Sequence, residues 1–170
     1  MKRILLLSFF LISFSHASSA QEFLFGRNDV IISANPIIGF FSGYSGIGSK
    51  FGASVEFCVA DSGKSSFGVG LLFAGASMTT TDEAIPHNWA NIMAIPQFAY
   101  HYELSRNWDV YGKIGLGLDA YIPKKDNIKD AFLHLAGDAA IGARFRIWKP
   151  ICAFVEAGFS YSAAGISLVF

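Results

Sequence analysis

FLHLAGDAAIGARFRIWKPICAFVEAGFSYSAAGISLVF, residues 132–170, reads in steps of two. Leu133, Leu135, Gly137, Ala139, Ile141, Ala143, Phe145 and Ile147 form an uncharged series, and His134, Ala136, Asp138, Ala140, Gly142, Arg144 and Arg146 fall between them. After Trp148-Lys149-Pro150 the pattern restarts. Ile151, Ala153, Val155, Ala157, Phe159 and Tyr161 alternate with Cys152, Phe154, Glu156, Gly158, Ser160 and Ser162, and a shorter run closes on Ile166, Leu168 and Phe170. A period of two means β-strand, because successive side chains leave opposite faces of the pleat.

Upstream, the same alternation recurs in five runs. The apolar phases are Val30 to Phe40, Phe51 to Val59, Phe67 to Phe73, Ile92 to Leu104 and Trp108 to Ala120, each read at every second residue. With the three above, that predicts eight strands. Their connections alternate long and short: 42–49, 77–90 and 122–131 are long, whereas 61–64, 105–107 and 149–150 are tight. The last connection, near Ser162–Ala164, is brief although it falls on the long side. Pro36 and Pro96 lie inside strands, where a missing N–H donor predicts a bulge or a shorter strand.

The N-terminus has a separate reading. Lys2 and Arg3 precede an apolar run from Ile4 to Phe14, followed by the small residues Ala17, Ser18, Ser19 and Ala20. That layout predicts a secretory signal peptide over 1–20, leaving 21–170 as one domain. The run is shorter than the roughly 20 apolar residues a spanning helix needs. The whole chain carries 13 Lys+Arg against 13 Asp+Glu. Loss of Lys2 and Arg3 leaves a mild acidic excess, so no basic field points to nucleic acid. Export into an oxidising compartment allows Cys58 and Cys152 to pair, but their strands are not neighbours in this reading and a bridge needs Cα atoms within about 7 Å. Two free interior thiols are expected.

Alternation alone does not separate a membrane barrel from a water-soluble cup. Three features favour the membrane. The apolar phase carries no charge in any run, and only 15% of residues are charged against about 25% in ordinary soluble domains. The opposite phase is rich in Gly, Ala and Ser, which suits a narrow interior and makes a poor solvent coat. Aromatic residues gather toward strand ends (Tyr100, Tyr102, Trp108, Phe145, Trp148, Tyr161), as interfacial girdles do.

The signal peptide, the eight runs, Ile-Gly-Ala-Arg-Phe-Arg-Ile at 141–147, Phe-Val-Glu-Ala-Gly-Phe at 154–159 and the final Phe170 resemble the small OmpA/OmpX-like outer-membrane barrel superfamily. The resemblance implies an all-β, eight-stranded antiparallel up-and-down transmembrane barrel, monomeric and exported to the bacterial outer membrane. It also implies that Ile166, Leu168 and Phe170 form the signal read by the barrel-assembly machinery. Barrels of this kind include anchors, adhesins, defence proteins and a few enzymes, so fold does not choose among them. The expected role is structural or interactive, with extracellular loops meeting lipopolysaccharide, a host surface or an envelope partner. A narrow gated channel is the second reading, and a lipid A-modifying enzyme the third.

Candidate chemistry follows from strand direction. Glu56, His101, Glu103, Asp109, Lys113, Arg144, Arg146 and Glu156 all fall inside the periplasmic half of the predicted barrel. An eight-stranded barrel is just wide enough to be filled by side chains, and an unpaired buried ion costs several kcal/mol. These charges are therefore expected to pair, with Lys113 and Arg144 bridging Glu56 and Glu156. Lys124, Lys125 and Lys129 lie in the third long loop, where they could meet lipopolysaccharide phosphates. His87, His101 and His134 do not open the His-x-Ser-Asn type signature of the lipid A deacylases. His134 and Asp138 share a face, but no serine accompanies them in sequence. No enzyme, metal site or cofactor is expected.

Overall fold

The alternation persists through every strand pairing in a computed structural model, which describes residues 24–36, 47–79, 88–123 and 131–170. The strands are β1 (Val30–Pro36), β2 (Ile47–Ser62), β3 (Ser65–Thr79), β4 (Asn88–Ser105), β5 (Trp108–Pro123), β6 (Phe132–Trp148), β7 (Ile151–Gly158) and β8 (Ser162–Val169). They pair antiparallel in chain order and close into a barrel through β1 and β8. Val30 and Phe170 complete the seam by exchanging backbone hydrogen bonds of 2.9 and 3.0 Å. The fold is an eight-stranded antiparallel transmembrane β-barrel. The expected signal peptide lies outside the described residues.

Four residues on different strands decide which face is outside: Phe57, Leu116, Ile141 and Val155 are 45%, 60%, 72% and 59% exposed. With Phe51, Phe98, Leu135 and their neighbours they make a continuous apolar wall. A water-soluble monomer rarely exposes an apolar patch larger than a few hundred Å², whereas a lipid-facing wall requires one. The polar phase points into the lumen, where Glu56, His101, Asp109, Lys113, Arg144 and Glu156 are buried.

Pro96 is accommodated without the expected bulge. Its pairing with Leu71 of β3 is continuous. On the β5 side the ladder skips Ile95 and Pro96 and resumes in the same register, with Ala94 opposite Leu118 and Gln97 opposite Gly115. Proline lacks the N–H that a ladder bond requires, and two glycines absorb the gap. A Cβ on Gly117 would stand 2.1 Å from the Ala94 carbonyl oxygen, and one on Gly115 would stand 2.5 Å from that of Pro96. Pro36, the last described residue of β1, pairs with Phe51, with no register shift there either.

Bulges occur instead beside all three short turns, between Cys58 and Ala60, Glu103 and Ser105, and Arg146 and Trp148. Each skips one apolar residue, Val59, Leu104 or Ile147, which is left on the exposed wall. An extra residue in one strand bends it and increases its twist, which suits a small barrel narrowing into hairpins.

The last connection also differs from the expectation. β7 ends at Gly158, and the Gly158 N–H donates to the Tyr161 carbonyl at 2.9 Å. The turn therefore precedes Ser162, and the alternation of β7 does not continue through it. Phe159 stays outside, but Tyr161 is 4% exposed and points into the lumen. Tyr161 is thus a core residue and not part of an interfacial girdle.

Candidate functional site

The charged lumen is built mainly by four strands near the short-turn rim. Period two sends Glu56 of β2, His101 of β4, Asp109 and Lys113 of β5, and Arg144 of β6 to the inside, with Glu156 arriving from β7. His101 lies between two carboxylates, Nδ1 2.8 Å from Asp109 Oδ2 and Nε2 2.5 Å from Glu56 Oε1. Ionised carboxylates only accept, so the arrangement is satisfied when both ring nitrogens donate. Lys113 Nζ lies 3.2 Å from Glu156 and 3.7 Å from Glu56, joining the two. With His101 protonated, three carboxylates and three cations share this buried volume, a balance that offsets the cost of burying each ion.

Arg144 takes a different partner from the one expected. It donates from Nη1 to Asp109 Oδ2 at 3.1 Å and does not bridge Glu56 to Glu156. Asp109 and Arg144 are directly opposed in the β5–β6 ladder, where Cβ atoms sit about 5 Å apart. Tyr111 packs between the cations, with Lys113 Nζ 4.8 Å and the Arg144 guanidinium 4.9 Å from its ring centre. Tyr161 donates its hydroxyl to Glu156 Oε1 at 2.5 Å. Tyr111 lies on the interior phase of its run, whereas Tyr161, expected in the aromatic girdle, enters the lumen because the chain turns after Gly158.

Glu103 and Arg146 also engage the backbone near the short-turn rim. Glu103 accepts the backbone N–H groups of Leu24 and Phe25, the latter at 3.3 Å. The segment preceding β1 turns into the short-turn mouth, where Leu24 and Phe25 are buried and the Phe25 ring lies 4.7 Å from His101. Asp29 holds the turn by accepting the Gly26 N–H at 2.8 Å, and burial pushes its carboxyl above the usual carboxylate range. Arg146 donates to the Arg106 carbonyl at 3.5 Å, tying two turns together. Periodicity gave no warning of this stopper, because the segment lies outside any strand. Phe25→Ala should free it, and trypsin cleavage after the exposed Arg27 should accelerate at least several-fold, since proteolysis follows local opening.

Above the charged layer the lumen turns apolar, with Leu72, Ala74, Ala76, Trp89, Met93 and Ile95 packed together, and Phe154, opposite Arg144 in the β6–β7 ladder, joins them. Asp138 lies between the two layers. It receives the Ser160 N–H at 3.2 Å and Gln97 Nε2 at 3.5 Å, while Ser160 Oγ donates to the Gly137 carbonyl at 2.6 Å. Folding therefore brings a serine to Asp138, but His134 is exposed and Ser160 is spent on backbone. Among the described residues no group of three His, Cys, Asp or Glu side chains could hold a metal. Cys58 and Cys152 are buried free thiols. Ile166 and Phe170 face outward on the wall, with Leu168 half-buried. Lys124, Lys125 and Lys129 lie outside the described residues.

No family model and no curated protein sequence matches the chain. Solved structures do match. A de novo designed transmembrane β-barrel aligns at 13% identity and TM-score 0.57, covering 85% of this chain and 97% of its own. Ail, the attachment invasion locus protein of Yersinia pestis, aligns at 11% and 0.56, covering 86% and 99%. The N-terminal β-barrel domain of Pseudomonas aeruginosa OprF aligns at 13% and 0.56, covering 85% and 99%. At these identities the likeness is one of fold, the closed antiparallel β-barrel.

Proposed function

We propose that the protein is a monomeric, non-enzymatic barrel of the bacterial outer membrane whose work is done at its rims. The observation that carries this reading is the filled lumen: a charge-balanced cluster below, an apolar layer above, and Leu24 and Phe25 in the lower mouth. Among the described residues, a lumen so packed serves as a core rather than as a path for ions. The long connections then offer the surface for partners. Ail has been solved with the heparin analogue sucrose octasulfate, which supports a loop-borne contact with anionic saccharide. Lys124, Lys125 and Lys129 are the side chains suited to it, toward lipopolysaccharide phosphates or host sulfates. Ile166, Leu168 and Phe170 would carry the assembly signal.

Cells bearing the chain should bind a sulfated polysaccharide, and the Lys124→Gln/Lys125→Gln/Lys129→Gln variant should lose most of that binding at equal surface level. Equal binding by the two would overturn the loop assignment. A conducting lumen is the competing reading. In planar bilayers the purified protein is expected to show no steady channels, and large regular openings would replace the structural reading with a transport one.

A further inference from the structure

We propose that the outer wall seats one anionic phospholipid, its acyl chain in a groove across β4–β7 and its phosphate at the two turns below. The proposal rests on the reading that this wall faces lipid. Three neighbouring outward positions, Gly112, Ala143 and Ala157, carry no side chain larger than a methyl group. They floor an open groove of ≈ 640 Å³ between Tyr100 and Tyr102 on one side and Val155 on the other. A second depression of ≈ 540 Å³ shares Gly112 and Ala157 and continues it toward Phe159. Hollows of several hundred Å³ are the size that holds small organic ligands.

Charge identifies the occupant. The groove's four strands are two hairpins, β4–β5 and β6–β7, and each turn carries an exposed cation, Arg106 in one and Lys149 in the other. The Arg146 side chain reaches the Arg106 carbonyl, and its N–H donates to the Asn107 carbonyl at 2.9 Å, so the turns are held side by side. Among the described residues, the exposed charged side chains at this rim are Arg27, Lys64, Arg106 and Lys149 against Asp61. Between groove and turns stands the Trp108–Phe145 pair, with ring centres 4.9 Å apart. The Tyr100 hydroxyl is bonded to Ser65 Oγ at 2.9 Å. Aromatic groups of this kind sit at headgroup level, which puts the cations at the depth of lipid phosphates. Each such cation enriches anionic lipid about fivefold, and the groove converts that general attraction into one seat.

The full chain is folded into vesicles of phosphatidylcholine and phosphatidylglycerol at 4:1, extracted in detergent, and its retained lipid is read by native mass spectrometry. One phosphatidylglycerol per barrel should be retained about tenfold over phosphatidylcholine after correction for abundance. Arg106→Gln/Lys149→Gln should bring the ratio below twofold, and Ala143→Leu/Ala157→Leu should remove the retained lipid. Ala53→Leu, on the exposed wall of β2, should change nothing. Equal retention of the two lipids by the unaltered chain would overturn the proposal. So would a ratio unmoved by the turn variant, whose exposed positions leave folding intact. Failure to insert into vesicles at all would instead defeat the membrane reading, whereas insertion without lipid preference defeats only the seat.

Discussion

Gly117→Ala should destabilise the barrel by about 3 kcal/mol, while Gly137→Ala should be nearly silent. Both glycines lie in the β5–β6 ladder, Gly117 opposite Ala136 and Gly137 opposite Leu116. Their surroundings differ. An added Cβ at Gly117 would stand 2.1 Å from the Ala94 carbonyl oxygen and 2.7 Å from the Ile95 Cα, both backbone atoms with little room to yield. At Gly137 the nearest atoms would be at 3.8 and 3.9 Å, ordinary contact. Overpacking costs typically 1–3 kcal/mol, and a backbone clash belongs at the upper end. A loss of about 3 kcal/mol lowers the folded-to-unfolded ratio roughly a hundredfold, a large share of a typical stability. Denaturant titration in lipid vesicles, with the heat-dependent gel shift as a check on closure, measures both variants. Equal midpoints would show that β4 and β5 can part at Pro96 without cost.

Lys113→Met should be the most damaging change inside the lumen. The ammonium lies between Glu56 and Glu156, so its removal leaves two carboxylates facing each other in a dry space with one cation fewer. Breaking a buried ion pair by deleting one partner costs about 3–5 kcal/mol. Most of that penalty belongs to the stranded charge, so removing that charge as well should restore stability. Glu156→Gln added to Lys113→Met should recover about half, because Glu56 keeps His101 at 2.5 Å. Residues in one network couple by about 0.5–3 kcal/mol in such cycles. Additive single and double variants would mean that the cluster is a set of independent contacts.

Much of this architecture was readable along the chain. Strand number, hairpin positions and the outward face depend on neighbours two residues apart, and the absence of charge from one phase of every run is a local fact. The failures also have local causes. The apolar residues Val59, Leu104 and Ile147 each extend the wall's pattern, so nothing in their identity marks the bulges. The step from Phe159 to Tyr161 preserves the alternation on paper while the chain turns between them. Leu24 and Phe25 lie outside any period, so nothing marked them as partners of Glu103.

By itself the amino-acid order determined which side chains meet lipid and which are confined within, because the pleat sends every second residue the same way. Only the closed tertiary structure decided who pairs with whom inside. Asp109 meets Arg144 because the β5–β6 register sets them opposite each other. Lys113 reaches Glu56 of β2 and Glu156 of β7 because the cylinder brings those strands to face β5 across a narrow lumen. Register and curvature sum small contributions from every strand, and the period of two, which excludes a slip of one residue but not of two, leaves the partners undecided.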